Sequence, residues 1–322
     1  MNGASDSITG AAAQTPVNIQ YYFVLLIDVL GQQQHLSRWN SLPEDGKITP
    51  ELLEAVRKSA GVVAKLRRDL EVFFRAWLDA PRTSVDHQQA MLALPLGASR
   101  ASYQSMSDSR HTVAHFSDTF VVYTPVTTSH GDWSVRALYS LLGCACMLSL
   151  LYLARRTPLR GAICIGAGAE FPEIGFYGPA LAEAHHLEAS TAAHPRIIVS
   201  ANLRKFVRSL PKRKGEPNLD KAIHGMFERC GTLVAEDTDG ECILDYLGAA
   251  SRELFPGPTP PKRDSIKLVR AAYDFVIEEG ARLSKAAIAE PSDENKNLAE
   301  RYALLKDYFD QHVENWGITR IS

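Results

Sequence analysis

One uncharged stretch of 18 residues, Ala137 to Ala154 (ALYSLLGCACMLSLLYLA), restricts the possible folds of this chain more than any other segment. A helix of that composition has no polar face, so every side of it must be covered. Its length is at the lower limit for crossing a bilayer, and Arg136 and Arg155-Arg156 flank it. A buried core helix fits the same length. The segments on either side read as strands, which favours a core helix in a soluble domain. With 35 basic and 37 acidic residues the formal net charge is −2. That balance offers no broad basic surface to a nucleic-acid polymer or a membrane. The five cysteines, Cys144, Cys146, Cys164, Cys230 and Cys242, lie mostly in apolar runs and form no Cys-x-x-Cys pair. They read as reduced core thiols of a cytoplasmic protein rather than a zinc site. The first residues, MNGASDSITGAAAQTPVN, lack the basic and apolar parts of a signal peptide and read as a disordered tail.

A length of 322 residues suits one large domain or two modest ones. The apolar run at 19–30 reads as a buried strand. Residues 50–79 show helical periodicity, with Thr49 as N-cap and Pro50 in the first turn. Residues 81–111 are loop-like. HTVAHFSDTFVVYTP, 111–125, reads as a hairpin turning at Ser117-Asp118. The apolar helix follows over 134–155. Then come two strands over 159–178 joined around Pro172, a helix opening after Gly178 and a short strand at 195–200. A hairpin over 230–247 turns on Asp239-Gly240. Two helices close the chain, 264–289 and 292–315, separated by Pro291. Together these predict an α+β fold with helices against one sheet. The expected divisions are a tail at 1–18, a main domain at 19–247, a Pro-rich linker at 248–263 and a C-terminal helical pair at 264–322. Leu298, Tyr302, Leu305 and Phe309 form one apolar stripe, expected to dock on the parent domain.

Two carboxylates stand out. Asp28 interrupts the run YYFVLLIDVLGQQ, where an unpaired charge is costly. Gly31, just after it, allows a sharp turn or a close ligand approach. Asp118 repeats the pattern at the turn between two apolar strands. Each Asp taken alone reads as a cap or turn residue. On neighbouring strands, both would point at one spot and could hold a pair of divalent ions suited to in-line phosphoryl displacement.

With these residues in view, the chain resembles the class III nucleotidyl cyclases. FVLLIDVLG is similar to their Phe-x-Asp-x-x-Gly opening, and FSDTFVVY to their Gly-Asp hairpin, with Ser117 in place of Gly. RGAICIGAGAEFPEIGFYGPALAEAHHLEAS is similar to their Arg-x-Gly strand, second hairpin and following helix. The resemblance spans about residues 20–205. The positions of the two purine-reading residues hold Ala114 and Gly175. Those of the transition-state Asn and Arg hold Ala182 and His186, and the two metal carboxylates stand 90 positions apart. These departures resemble the pyrimidine cyclases of bacterial Pycsar anti-phage systems.

The resemblance implies a class III cyclase-like, antiparallel-rich central sheet with flanking helices and a C-terminal helical extension. It also implies a homodimer with active sites at the interface. The implied reaction makes 3′,5′-cyclic UMP and pyrophosphate from UTP, and the product acts on a separate effector. CTP, a purine triphosphate, or a catalytically inactive nucleotide-binding role are the alternatives. Asp28 and Asp118, with the carbonyl of Val29, would bind two Mn²⁺ or Mg²⁺ ions. The Leu30-Gly31-Gln32 turn would offer amides to the phosphates. His186 or Arg196 would stand in for the transition-state Arg, with Arg160 a further cation. Tyr22 or Tyr177 would lie near the base.

Overall fold

The computed structural model describes residues 18–31, 47–79, 111–209, 217–255 and 263–321. Gln32, nearly all of the expected tail and 81–111 loop, and residues 256–262 of the Pro-rich linker lie outside the described residues.

The described chain folds as eight strands and eight α-helices, an α+β arrangement. In chain order the strands are β1 (Ile19–Val29), β2 (Thr112–Phe116), β3 (Thr119–Pro125), β4 (Leu159–Phe171), β5 (Gly175–Tyr177), β6 (Ile197–Val199), β7 (Val234–Glu236) and β8 (Cys242–Leu244). The helices are α1 (Pro50–Asp79), α2 (Val135–Ala154), α3 (Pro179–Ser190), α4 (Ala201–Ser209), α5 (Pro217–Thr232), α6 (Ala249–Glu253), α7 (Arg263–Ala289) and α8 (Asp293–His312). A 3₁₀ turn, Val313–Trp316, follows α8. The sheet runs in the order β2-β3-β1-β4-β6-β8-β7, with β5 paired to the end of β4. All its pairs are antiparallel except β4 with β6.

β1 is central because every residue from Phe23 to Val29 except Asp28 is apolar and buried, on both faces. Residues opposite one another in an antiparallel pair share a face. Tyr22, Val24, Leu26 and Asp28 therefore point the same way as Gly166, Cys164, Ala162 and Arg160 on β4. That face carries α3. A Cβ on Gly166 would lie only 3.2 Å from Ala180 on that helix. The opposite face packs against the remaining helices, with the Phe23 ring 5.7 Å from that of Phe206 on α4.

The uncharged helix is the hub of that second layer. Most of α2 is buried, and α1, α5 and α7 all pack on it. Its composition is thus satisfied by protein on every side. α1 begins as its sequence directs, with Leu52 N–H donating to the Thr49 hydroxyl at 3.2 Å. The five cysteines are free and buried.

The C-terminal pair does not stand apart. Tyr302, Leu305 and Phe309 are buried, and α7 packs on α2. Tyr308 Oη donates to Asp245 Oδ1 at 2.8 Å and accepts from Leu247 N–H at 3.0 Å. Trp316 Nε1 donates to the Leu247 carbonyl at 2.8 Å. The segment between β6 and β7 forms α4 and α5. The Asp239-Gly240 hairpin is real but short, at three residues a strand.

Candidate active site

Asp28 is the last polar residue of a strand whose two neighbours both run antiparallel to it. The register sets Thr119 of β3 on one side of it and Arg160 of β4 on the other. Thr119 Oγ1 donates to Asp28 Oδ1 at 2.9 Å. Arg160 Nη2 lies 3.6 Å from Asp28 Oδ2. The Nε of Arg160 touches Glu188 Oε1 on α3, an ion pair without hydrogen-bond alignment, since neither atom has a hydrogen-bond partner. Glu188 is 5% exposed. Burial raises the Asp28 carboxyl to about 6. The Thr119 hydroxyl and the Arg160 charge oppose that rise, and the Asp118 and Glu188 charges add to it.

Asp118 reaches the same place through the β2–β3 hairpin. Phe116 pairs with Thr119, so Ser117-Asp118 is a two-residue loop. Ser117 has φ +56°, a left-handed value that a Gly would adopt more cheaply.

Asp28, Asp118 and Arg160 line one cleft of about 960 Å³. Its floor continues through Val29, Leu30 and Gly31. One wall is α1, through Ser59 and Val63. Facing the strand ends are α7, with Glu279 and Arg282, and α8, with Arg301 and Tyr302. Arg156 and the buried His194 complete the polar lining.

Two carboxylates and a main-chain carbonyl are hard oxygen donors. The ladder alternation turns the Val29 peptide toward β3: Tyr21 accepts from Val126 on that side, while Leu30 N–H donates to Pro158 beside β4 at 3.0 Å. Among the described residues no group of three or more His, Cys, Asp or Glu side chains is placed to hold a metal ion. Asp28 and Asp118 are two side chains of the cleft that could serve as ligands to a cation of the Mg²⁺ type, which takes one or two carboxylates and completes its shell with water and phosphate oxygens.

Other predicted residues fall elsewhere. Leu30 lines the cleft, but its amide is already donated to Pro158 and is not free for a phosphate. Gly31 is exposed there, with φ +86°. Arg196 is not at the cleft. It is 4% exposed and clamped by Asp237 Oδ2 at 2.7 Å, Asp239 Oδ2 at 2.7 Å and the Thr191 carbonyl at 2.9 Å. Its charge is consumed in tying β6 to the β7–β8 hairpin. Tyr22 is core, with ring centroids 4.9 Å from Phe176 and 5.9 Å from Tyr123, and its hydroxyl accepts from Gln20 Nε2 at 2.8 Å. His186 is exposed on α3, away from the cleft lining. Tyr177 is 67% exposed on β5. It pairs with Ala169, which pairs with Ile19 at the far end of β1. Nine strand steps separate Ile19 from Asp28, roughly 30 Å.

Glu188, His194, Glu279, Arg282 and Arg301 are the site residues the sequence reading missed. Nothing local marks them. They belong to helices and loops whose relation to Asp28 exists only after the sheet and α7 are in place. Comparison with protein-family models, with curated proteins and with solved structures finds no match.

Proposed function

We propose that this protein is a metal-dependent nucleotidyl cyclase of the class III type, acting on a pyrimidine nucleoside triphosphate, UTP first and CTP second. The observation that carries the reading is the convergence of Asp28 and Asp118, from two adjacent strands, on one cleft beside Arg160. A carboxylate raised to about 6 in an otherwise apolar strand is an expensive feature even with Arg160 beside it, and a bound metal cation would offset that cost. The order of motifs along the chain supports the same reading, as does the α+β sheet with β1 at its centre.

In the reaction the ribose 3′-oxygen attacks the α-phosphorus in line, the bond to the β-phosphate oxygen breaks, and pyrophosphate leaves. Divalent ions held by Asp28, Asp118 and the Val29 carbonyl would neutralise the triphosphate and acidify the 3′-hydroxyl. Thr119 holds Asp28 by its hydroxyl, and Glu188 holds Arg160, so the first carboxylate and its nearest cation are both fixed before substrate arrives. Gly31 leaves room for phosphate at the strand end.

The homodimer belongs to the same proposal. The position of Tyr177 and that of the two carboxylates lie at opposite ends of β1, too far apart for one nucleotide. A two-fold pairing of chains would bring the β4–β5 hairpin of one copy toward the carboxylates of the other. The exposed side chains Phe116, Ile174 and Tyr177 supply apolar area for such a contact. His186, on the exposed side of α3, would then act across the interface.

A second reading is an inactive nucleotide-binding homologue, favoured by the absence of both His186 and Arg196 from the cleft of a single chain. One experiment separates the two. Full-length protein is incubated with Mn²⁺ and each of ATP, GTP, CTP and UTP, beside an Asp118→Ala control, and products are identified by mass. The expected result is a cyclic pyrimidine monophosphate that the control lacks. A cyclic purine would refute the pyrimidine assignment, and binding without turnover would select the second reading.

A further inference from the structure

The C-terminal helices do more in this fold than cover the core. α7 and α8 present Arg282 and Arg301 to the cleft that Asp28 and Asp118 also line. The two helices meet there closely, since a Cβ on Gly280 would lie 3.8 Å from the Cβ of Tyr302.

The four arginines of the cleft are not equivalent. Arg160 is occupied by Glu188 and Asp28. Arg156 Nη1 bonds Glu278 at 2.7 Å and its guanidinium lies 5.2 Å from the Phe275 ring centroid. Arg282 bonds Glu279 by both Nε, at 2.8 Å, and Nη2, at 2.6 Å. Arg301 is half-buried and has no carboxylate partner among the described residues. A buried imidazole lies in the same cleft, that of His194, whose Nε2 is 3.8 Å from Asp237 Oδ2. His194 is 3% exposed and its Nδ1 has no hydrogen-bond partner. Burial first, then the Arg196 charge, lowers this imidazole to about 4, and Arg301 acts in the same direction. It is therefore neutral at pH 7 and adds no charge to the cleft.

A half-buried guanidinium without a carboxylate partner, in a cleft that also holds the carboxylates of Asp28 and Asp118, suits an anion that those carboxylates tolerate. A polyphosphate chain meets that need when its other oxygens are shared with cations on Asp28 and Asp118. A guanidinium suits phosphate because its planar fork donates two parallel bonds. We propose that Arg301, seconded by Arg282, is the polyphosphate-binding group of this cleft, gripping the β- and γ-phosphates of the triphosphate from the C-terminal helices. This assignment rests on the cyclase reading and adds to it the residues that hold the leaving pyrophosphate. It also makes the C-terminal pair part of the site.

The test uses inorganic tripolyphosphate as probe, titrated into full-length protein by calorimetry with and without Mn²⁺. Arg301→Gln should weaken binding about tenfold or more, and Arg282→Gln by less, because Glu279 competes for it. Arg301→Lys should recover part of the loss. With the nucleotide substrate, Arg301→Gln should raise KM more than it lowers kcat. In the wild-type protein, tripolyphosphate should protect Arg301 from phenylglyoxal, read by mass spectrometry, which keeps the test open if a variant fails to fold. Equal binding by wild type and Arg301→Gln would overturn the assignment, as would no binding by wild type or an Arg301 left unprotected. Loss of tripolyphosphate binding in the variants, with no cyclic product from any triphosphate in wild type, would keep the anion site and remove the cyclase. Cyclic product formed with unchanged KM in Arg301→Gln would do the reverse.

Discussion

Asp28 carries an opposed pair of consequences. Its raised carboxyl, at about 6 against an ordinary 3.8, means the folded metal-free protein is strained by the charge at pH 7.5. The sign follows from linkage. The folded state binds the proton more tightly than the unfolded one, so the cost is fully present above about 6 and is relieved as pH falls toward 4. Asp28→Asn keeps an oxygen for the Thr119 hydroxyl and removes the charge. It should raise the melting midpoint of the metal-free protein at pH 7.5 by roughly 2–4 °C and, on the proposed cyclase function, abolish turnover. Calorimetry in chelator, beside a turnover assay, checks both halves. Asp28 could be singled out in the sequence because a lone carboxylate breaks an apolar run. Glu188 could not, since nothing in HHLEAS says that its side chain will meet Arg160.

At the level of elements, the cleft depends on how closely β4 is laid against β1. Gly161 follows Arg160, and a Cβ built on it would lie 2.1 Å from the Leu26 carbonyl oxygen. The obstacle is backbone, which cannot swing aside. Gly161→Ala should therefore cost about 2 kcal/mol or more, measured by denaturant unfolding, and should also lower turnover by moving Arg160. The hairpins at 111–125 and around Asp239-Gly240 were legible because turn chemistry is local. The clamp on Arg196 was not, because Asp237 and Asp239 lie some 40 positions away, and only the pairing of β6 with β8 brings them near. Read without that pairing, a cation at the start of a strand had looked available for catalysis.

For the whole molecule, Tyr308 is one of the polar links, with Trp316, that tie the C-terminal pair to the segment following β8. Tyr308→Phe would leave Asp245 and the Leu247 amide short of a partner, and should cost about 1–3 kcal/mol in thermal or denaturant unfolding. If α7 and α8 hold the phosphates, the same variant should also raise the KM for nucleotide. Acid sensitivity is a second whole-molecule property. His111 is held neutral by burial, at about 3, and His194 at about 4. The Ser140 hydroxyl, which donates to the Ala137 carbonyl, accepts from His111 Nε2. Both imidazoles sit below their ordinary 6.5, so the stability they permit is complete above about 6.5 and is lost as pH falls toward 4. Asp28 works in the other direction over part of that window, but one carboxyl does not offset two imidazoles. The melting midpoint should fall between pH 7 and pH 5, and His111→Gln should flatten the slope.

What the sequence determined by itself was local in physical origin. Strand and helix periodicity, the cap at Thr49, the two turns and the uncharged helix all follow from forces acting within a few residues or from the need to hide an apolar face. These were enough for an α+β chain with α2 at its centre and for the two carboxylates. The tertiary structure decided which charges are spent and which are left over. Arg196 is consumed by Asp237 and Asp239, Leu30 donates its amide to Pro158, and Tyr22 is packed against Phe176. Arg301, 273 positions from Asp28, lines the same cleft with no carboxylate partner among the described residues. Such pairings depend on long-range register and helix docking, which no window of sequence contains.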